Sequence, residues 1–487
     1  MFLKLKFLRF FQYVNMYIQI IFGILICTIL FWSCNKGFDL CDESFYLIFS
    51  RNEVDNFSSI VRYDLVFKLI YKIFGIDFGI IGLRYLRFIL ISIVLIFTFI
   101  VLRKRRFLKE DKFILFFSAF AGYSMMPQSL SYYTLTFLVV LIYGLILYRA
   151  LKVKESTLYI SIGIVSAFGF LIKPPMGLLL YFFMLFISFL FVLRSQKIEA
   201  LKLFLLASSG FILIHIVFSQ IFPEFSFINV INDAIEFSNS PYNKTYRKSA
   251  LILTFFSSVK WTLILIFSGY CFALFTKWRY LNKVKSIFFL IFSFVLMFYF
   301  LFMHYQGNRF GILEYGIMLT TSFSLGYVFY FSDILSLDFR QQVFLFFLFI
   351  APYLCNFGSN VYFFRIGVHY AFFWILFICL IYNKKSYFFR LFFSFLFSLL
   401  VLVGVYNNVI KKPHNQPSLL QNLFIYNYDT DKKIYLPQSY FDYLSQLRVK
   451  IKKAKNRDNK GYVIGMYVMS GEIIMCDMKI FYNPLVT

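Results

Sequence analysis

Three carboxylates lie within five residues of a polar stretch that follows the first long apolar segment. They are Asp39, Asp42 and Glu43, in Gly37-Phe-Asp-Leu-Cys-Asp-Glu-Ser-Phe-Tyr-Leu47. An ionised carboxylate is very costly to hold in an apolar medium, so these side chains need water, a cation or a polar substrate beside them. The pattern favours a catalytic carboxylate at Asp42. The alternative is that the loop is acidic because loops are polar.

The three carboxylates suit different tasks. Asp42 has the chemistry of a general base, which takes the proton of an acceptor hydroxyl as that oxygen attacks an anomeric carbon. For Glu43 three roles stay open, because it can hold Asp42 in place, bind the acceptor, or cap a helix, whose first turn favours acidic residues. We interpret Asp39 as a helix N-cap.

The composition defines the class of protein in which this loop lies. The 487 residues are 60% hydrophobic and 23% aromatic, with a mean hydropathy of +0.74, which is far from the usual composition of soluble domains. Apolar runs of about 20 residues, enough to cross the hydrocarbon core, recur nearly to the end. The alternating pattern of a membrane barrel is absent. We therefore expect an all-α polytopic membrane protein of about thirteen spans.

The net charge of +26, from 49 Lys and Arg against 23 Asp and Glu, raises the question of a nucleic-acid partner. The positions of the charges argue against one. Basic residues gather in short gaps between apolar runs, as in Arg103-Lys-Arg-Arg106 and Lys277-Trp-Arg279, which is typical of cytoplasmic loops. Such gaps also suit anionic lipid headgroups. We expect a cytoplasmic N-terminus and, with an odd number of spans, an external tail.

The chain divides into two predicted domains, a transmembrane domain over residues 1–407 and a small external α/β domain over 408–487, where the composition becomes polar. Within the second domain, the pattern predicts a short helix from Tyr440 to Ala454 and strand-like runs from Gly461 to Met475. No internal repeat and no phosphate-binding glycine motif of a soluble enzyme is present.

An amphipathic element follows the acidic loop. Phe57 to Phe74 places Asp64, Lys68 and Lys72 at i, i+4 spacing opposite apolar residues. This pattern predicts a helix that lies in the membrane interface. Such a helix would seat the Asp42 loop against the bilayer surface.

Several cations share the predicted external side with the carboxylates. Lys173, in the rigid Lys173-Pro-Pro175 turn, either neutralises a departing lipid phosphate or snorkels to headgroups. Arg84 and Arg87 begin the second span and allow the same two interpretations, and Arg is the better bidentate phosphate ligand. The role of Arg309, in a Gly-Asn-Arg turn, stays open. Carboxylates beside cations suit an anionic substrate whose reaction needs a base.

A metal centre is not indicated. The seven cysteines include no CxxC pair. The four histidines, His215, His304, His369 and His414, have no ligand-like spacing.

Short motifs connect these features with a known family. Asp42-Glu43-Ser-Phe-Tyr46 resembles the Asp-Glu-x-x-Tyr pattern of the protein O-mannosyltransferases and the lipid A aminoarabinose transferases. These belong to the GT-C superfamily of membrane glycosyltransferases, which use polyprenyl-phosphate-linked sugars. The interfacial helix and the external domain match that layout. Three further stretches look like parts of bacterial relatives: Leu130-Ser-Tyr-Tyr-Thr-Leu135, Phe170-Leu-Ile-Lys-Pro-Pro175 and Asn356-Phe-Gly-Ser-Asn360.

The resemblance implies a GT-C-like fold and inverting transfer of a hexosyl or pentosyl group. Asp42 would activate the acceptor, with Glu43 beside it and Tyr46 among the binding residues. The lipid phosphate would leave beside basic residues, for which the candidates are Lys173, Arg84, Arg87 and Arg309.

The same resemblance implies the partners. The donor would be a polyprenyl-phosphate-sugar and the acceptor a glycolipid, a glycan or a protein. The compact loops and the absence of cytoplasmic domains indicate membrane lipids of a bacterial inner membrane as the surroundings, with the site on the periplasmic face. Oligosaccharyltransferase-type members need acidic metal ligands in another external loop. The Met126 to Tyr133 turn has none, although Asp233 and Glu236 leave a divalent cation open. No metal ligand is assigned.

Two other functions compete with transfer. A flippase for lipid-linked glycans would be expected to show internal repeats and broken helices with ionisable residues at the midplane. A polymerase of the O-antigen type would share the external site but rely on large Arg-bearing loops. A pure interaction scaffold ranks behind both, since it leaves the shared sidedness of carboxylates and cations unexplained.

Overall fold

Helices make up most of the computed structural model. The structure describes residues 2–50, 62–103, 107–125, 128–223, 225–239, 241–277, 312–332, 334–358, 363–381, 387–413, 415–428, 432–455, 472 and 475–476. Within these residues, seven helices are long and apolar enough to cross a membrane, and three shorter apolar helices accompany them. The chain is therefore an all-α membrane-embedded protein with a small two-stranded sheet.

The helices follow one another closely along the chain. Those before residue 280 are α1 (Phe2–Ser33), α2 (Asp42–Ser50), α3 (Asp64–Phe74), α4 (Gly79–Val101), α5 (Lys109–Phe120), α6 (Tyr132–Val153), α7 (Ser156–Ile172), α8 (Pro174–Leu193), α9 (Lys197–Ile221), α10 (Phe227–Asn239) and α11 (Pro241–Lys277). Those after it are α12 (Ile312–Phe331), α13 (Phe339–Asn356), α14 (Phe363–Ile366), α15 (Ala371–Ile381), α16 (Tyr387–Val405) and α17 (Gln438–Lys455). Short 3-10 turns cover Ala121–Ser124 and Gly367–Tyr370, and a π-helical turn, Tyr406–Lys411, ends α16.

The structure agrees with the predicted all-α membrane class but does not establish the predicted number of about thirteen spans. Most predicted spans coincide with a helix, such as α8 and α9, but the described helices that meet the length of a span number seven. The ninth predicted span, near residues 286–303, lies outside the described residues. The count of thirteen stays a prediction.

Aromatic side chains fill the centre of the bundle. Phe117 on α5, Tyr143 on α6, Phe347 on α13, Trp374 on α15 and Phe397 on α16 are all fully buried in one cluster. The indole Nε1 of Trp374 donates a hydrogen bond to the Phe349 carbonyl at 2.8 Å. Lipid is as apolar as these rings, so the helices associate through close packing more than through removal of surface from water.

Two glycines let α7 and α9 cross at close range. A Cβ on Gly163 would overlap the Ala207 carbonyl, and a Cβ on Gly210 would overlap the Ile160 carbonyl. Small residues at helix crossings are typical of membrane bundles, because they bring two backbones into contact. Lys173 follows the last residue of α7.

The predicted interfacial helix is present, but its first half is buried and its last turn is exposed, for polar and apolar residues alike. α3 spans Asp64–Phe74, and residues 57–61 of the prediction lie outside the described part. Asp64 and Lys68 are buried against the protein, whereas Ile73 and Phe74 are exposed. The polar residues can be buried because Asp64 pairs with Lys68 at 3.8 Å and with Arg62 at 3.4 Å. The exposed apolar residues at its end suit a lipid surface.

The chain after the last span forms a small hairpin and a helix. β1 (Phe424–Asn427) pairs with β2 (Lys433–Leu436) in antiparallel register, with Phe424 opposite Leu436. α17, Gln438–Lys455, confirms the helix predicted from Tyr440 to Ala454. The strands predicted over Gly461 to Met475 lie almost wholly outside the described residues. We call residues 413–455 the C-terminal unit.

The C-terminal unit packs directly on the acidic loop. Tyr426, Ile434, Leu436 and Leu444 share a buried cluster with Phe38, which lies next to Asp39. The domain division at 407/408 therefore separates two parts with a common apolar core.

Candidate functional site

The acidic loop leads into α2, whose first residue is Asp42. Asp39 is buried, and its carboxylate accepts hydrogen bonds from the backbone N–H of Cys41 at 2.9 Å and of Asp42 at 3.3 Å. It thus satisfies two of the N–H groups that the start of a helix leaves without partners. Asp39 has the capping role expected for it, from a position just before the helix boundary.

Glu43 is fully buried and forms a bidentate ion pair with Arg84 of α4. Arg84 Nε lies 2.7 Å from Glu43 Oε1, and Nη2 lies 2.6 Å from Oε2. The Ser129 hydroxyl also donates to Oε1, and the Asp39 N–H donates to Oε2 at 3.2 Å. These contacts fit the first role considered for Glu43, which is to hold the loop in place.

The remaining N–H groups of Arg84 bind the backbone just before the acidic residues. They donate to the carbonyls of Ser33, Cys34, Lys36 and Gly37. Arg84 Nε, Nη1 and Nη2 therefore all donate within the protein. Arg84 lies where the sequence predicted it, beside the carboxylates, but its guanidinium serves the loop and is not directed at an open phosphate site.

Asp42 differs from its two acidic neighbours because its side chain is partly exposed. Its carboxylate accepts a hydrogen bond from the thiol of Cys41. Burial, and next the charges of Asp42 and Asp39, raise the pKa of Cys41 to about 11. The thiol therefore keeps its proton at neutral pH. Of the three carboxylates, Asp42 is the one that is not buried.

Arg87 lies one turn after Arg84 on α4 and is also buried. Its guanidinium carbon lies 3.8 Å from the centre of the Tyr123 ring, a cation–π contact. It is within electrostatic reach of Glu43, Tyr46 and His369. Arg87 thus places a positive charge near the start of α2 and near the tyrosine and histidine side chains described next.

That group consists of tyrosines and one histidine packed ring to ring. Tyr46 of α2 lies 6.1 Å from Tyr132, Tyr132 lies 3.9 Å from Tyr133, and Tyr133 stacks on His369 at 5.8 Å, all between ring centres. Tyr370 follows in the same turn as His369. Burial raises the pKa of Tyr46, so its phenol stays protonated and able to donate a hydrogen bond.

Two polar atoms of this aromatic group have no hydrogen-bond partner within the described part of the chain. They are His369 Nε2 and the Tyr370 hydroxyl, and both residues are buried. Buried polar atoms are nearly always paired, so these two exceptions make the aromatic group a candidate part of the site. The sequence did not single out His369 or Tyr370, because a lone histidine among apolar residues carries no spacing signal.

Lys173 is buried, and its ammonium donates a hydrogen bond to the Cys355 carbonyl at 2.8 Å, near the end of α13. The side chain therefore does not snorkel to a headgroup. Cys355 is within electrostatic reach of Tyr370, which connects Lys173 to the aromatic group. Burial lowers the pKa of Lys173 to about 7, so it changes charge near neutral pH.

The remaining candidates are Arg309, Asp233 and Glu236. Arg309 lies outside the described residues. Asp233 is on α10, and the side chain of Glu236 is not described. Within the described part, no three His, Cys, Asp or Glu side chains group closely enough to hold a metal ion. The sequence did not identify Ser129, next to the Leu130 to Leu135 stretch, as part of the site. A serine in a turn gives no sequence signal that its hydroxyl will donate a hydrogen bond to Glu43.

Comparison with known proteins adds no assignment. No protein-family model, no curated protein and no solved structure matches the chain. The class of protein that the described residues define is an all-α membrane-embedded protein with a polar site near one end of its helices.

Proposed function

We propose that the chain is an integral membrane glycosyltransferase that moves a sugar from a polyprenyl-phosphate-linked donor to an acceptor hydroxyl. The observation that carries the proposal is the different treatment of three adjacent carboxylates. Asp39 and Glu43 are buried and hydrogen-bonded within the protein, whereas Asp42 is held at the start of a helix with its side chain partly exposed. A partly exposed carboxylate at a helix start that is held in place suits a general base.

The proposed reaction is a single displacement with inversion. Asp42 takes the proton of the acceptor hydroxyl while that oxygen forms a bond to the anomeric carbon of the donor sugar. The bond between the anomeric carbon and the phosphate oxygen breaks, and the phosphate leaves with the electron pair. Arg87 and Lys173 are the cations beside the aromatic group, and the negative charge that develops on the phosphate favours a site near them.

In this proposal Glu43 and Arg84 do not touch the substrate. They act by holding the acidic loop in place. Their ion pair fixes the loop on α4, and Asp39 then orients the first turn of α2. Tyr46 lies one turn after Asp42 and contributes a phenol O–H toward the same region. The thirteen spans, the cytoplasmic N-terminus and the periplasmic site in a bacterial inner membrane belong to the same proposal.

The test is transfer of radiolabelled sugar from a polyprenyl-phosphate-sugar pool into glycolipid, glycan and protein fractions. Membranes that contain the chain are compared with membranes that lack it. Label in one fraction, dependent on the chain, would support the proposal and identify the acceptor class. No transfer, together with build-up of lipid-linked sugar on one leaflet when the chain is absent, would replace it with a transporter.

A pH dependence follows from Lys173. Its pKa of about 7 means that the ammonium form is lost as the pH rises through neutrality. We expect kcat/KM, which reports groups of the free enzyme, to fall about tenfold per pH unit above pH 7. In Lys173→Arg this decline should disappear, because a guanidinium stays protonated.

The matched control for the pH profile is Lys197→Arg, at an exposed position at the start of α9. It should keep the wild-type decline. The same decline in Lys173→Arg would mean that another group titrates and that Lys173 does not assist the leaving phosphate.

A further inference from the structure

The loop that carries Asp42 is held on a second side by the C-terminal unit. The Gly37 N–H donates to the Tyr435 carbonyl at 2.8 Å, and the Tyr435 N–H donates to the Asn35 carbonyl at 2.9 Å. The loop is therefore joined to β2 by one isolated parallel bridge, between Lys36 and Tyr435. Arg84 holds the same segment through the Lys36 and Gly37 carbonyls.

Gly37 shows how closely the two parts fit. Its φ is +66°, a conformation that favours glycine. A Cβ there would lie 2.5 Å from the Leu419 side chain and 2.9 Å from the Asn422 amide. The segment after the last span thus leaves no room for a side chain on the loop.

Asn415 connects the C-terminal unit to the start of α2 through a short chain of hydrogen bonds. Its amide donates to Asp39 Oδ1 at 3.4 Å, and Asp39 accepts the backbone N–H of Asp42 with its other oxygen at 3.3 Å. The Asn415 carbonyl accepts from the Tyr440 hydroxyl of α17 at 3.0 Å. Asn415 itself has a φ of +51°, which asparagine tolerates better than most residues.

We propose that Asn415 is a positioning residue that sets the place of Asp42 through Asp39, and that the C-terminal unit is part of the site. The consequence for catalysis rests on the proposed function, whereas the consequence for the loop does not. The tail of the chain thereby acquires a role that its polar composition did not reveal.

Two substitutions test the side-chain amide of Asn415 separately from its backbone conformation. Asn415→Gly keeps a residue that accepts positive φ and removes the donor. Asn415→Asp keeps the size but sets a carboxylate against Asp39, in a region that also holds Asp42, Cys41, Tyr440 and Glu472. Asn427→Asp, at an exposed position in β1, is the matched control.

Alkylation of Cys41 reports the state of the loop directly, because its thiol donates a hydrogen bond to Asp42. The added carboxylate of Asn415→Asp raises the pKa of Cys41 further, so each alkylation rate is divided by the thiolate fraction measured for that variant. We expect this rate per thiolate to be about tenfold higher in Asn415→Asp than in the wild type, since a hydrogen bond to a charged group is replaced by repulsion. Asn415→Gly should fall between the two. Cys34, buried on the Arg84 side of the loop, is the internal control and should not change. Peptide mass spectrometry reads both cysteines in the intact chain.

A charge exchange gives the decisive comparison. In Asp39→Asn with Asn415→Asp, the amide and the carboxylate trade places, so one N–H···O bond can form again across the pair. The double variant should react at Cys41 more slowly than Asn415→Asp alone. In transfer assays, Asn415→Asp should lower kcat about tenfold with KM unchanged, because a small displacement of the base affects the reaction step.

Wild-type reactivity of Cys41 in both Asn415 variants would overturn the proposal. So would an unchanged kcat in Asn415→Asp, in membranes where wild-type transfer is measured. If the wild type transfers no sugar, the proposed function fails by itself. Cys41 reactivity and its recovery in the double variant then decide whether Asn415 positions Asp42.

Discussion

Asp42→Asn is expected to abolish sugar transfer while leaving the protein at its normal level in the membrane. A positioned general base typically contributes about 10²–10⁴-fold to a rate, and an amide of the same size cannot accept the proton. The amide oxygen that this substitution introduces can still accept the Cys41 hydrogen bond, so the loop should keep its place. The loss should therefore appear in kcat.

The matched control is Asp442→Asn, which removes a carboxylate from an exposed position on α17. Its transfer rate should equal that of the wild type. Transfer by Asp42→Asn within a factor of about three of the wild type, below the range of base catalysis, would exclude Asp42 as the base. Asp39 and Glu43 cannot readily substitute for it, because their carboxylates are engaged in hydrogen bonds within the protein.

The second large effect concerns stability. Glu43→Ala leaves the Arg84 charge buried and without its carboxylate, and Arg84→Ala does the reverse. Breaking one half of a buried ion pair costs about 3–5 kcal/mol, because the remaining charge is not compensated. Each single variant should therefore unfold at a lower temperature in detergent and accumulate poorly in membranes.

A double variant distinguishes the ion pair from simple packing. Glu43→Gln with Arg84→Met removes both charges, and we expect it to be more stable than Arg84→Met alone, since no unpaired charge is left. Arg340→Ala is the control, because its pair with Asp338 at 3.0 Å is exposed and such pairs contribute about 0–1 kcal/mol. Additive effects of the two substitutions at Glu43 and Arg84 would show that the ion pair does not couple them.

The two effects separate the roles of adjacent residues. Asp42 should affect the rate with little effect on stability, and Glu43 should affect stability first. A chain whose Glu43 variants are stable but inactive would move Glu43 from positioning to chemistry. That result would revive the second of the roles left open for it, binding of the acceptor.

Several elements could be predicted from the sequence because local patterns specify them. Long apolar runs determine that helices cross a membrane, whatever their neighbours, because every backbone polar group in lipid must be paired within the helix. The helix after Tyr440 follows from its own periodicity, and the capping role of Asp39 follows from its type and place. The concentration of carboxylates around Asp42 is likewise evident from the amino-acid sequence.

Contacts between distant residues could not be predicted in this way. The bond of Asn415 to Asp39 joins residues 376 positions apart, and the Lys173 bond to the Cys355 carbonyl joins residues 182 apart. Neither pair has a spacing rule, because the path of the chain between them decides whether they meet. The burial of Asp64 and Lys68 on α3 also depends on a partner, Arg62, that periodicity does not reveal.

Composition and spacing thus determined the membrane class of this protein, most of its apolar helices and the loop where its chemistry is proposed. The packing of the helices decided which charges in that loop are used internally and which one is partly exposed. The physical reason is that hydrophobic length and helix periodicity act locally. Pairing of a buried charge depends on which residue the folded chain brings within about 3 Å of it.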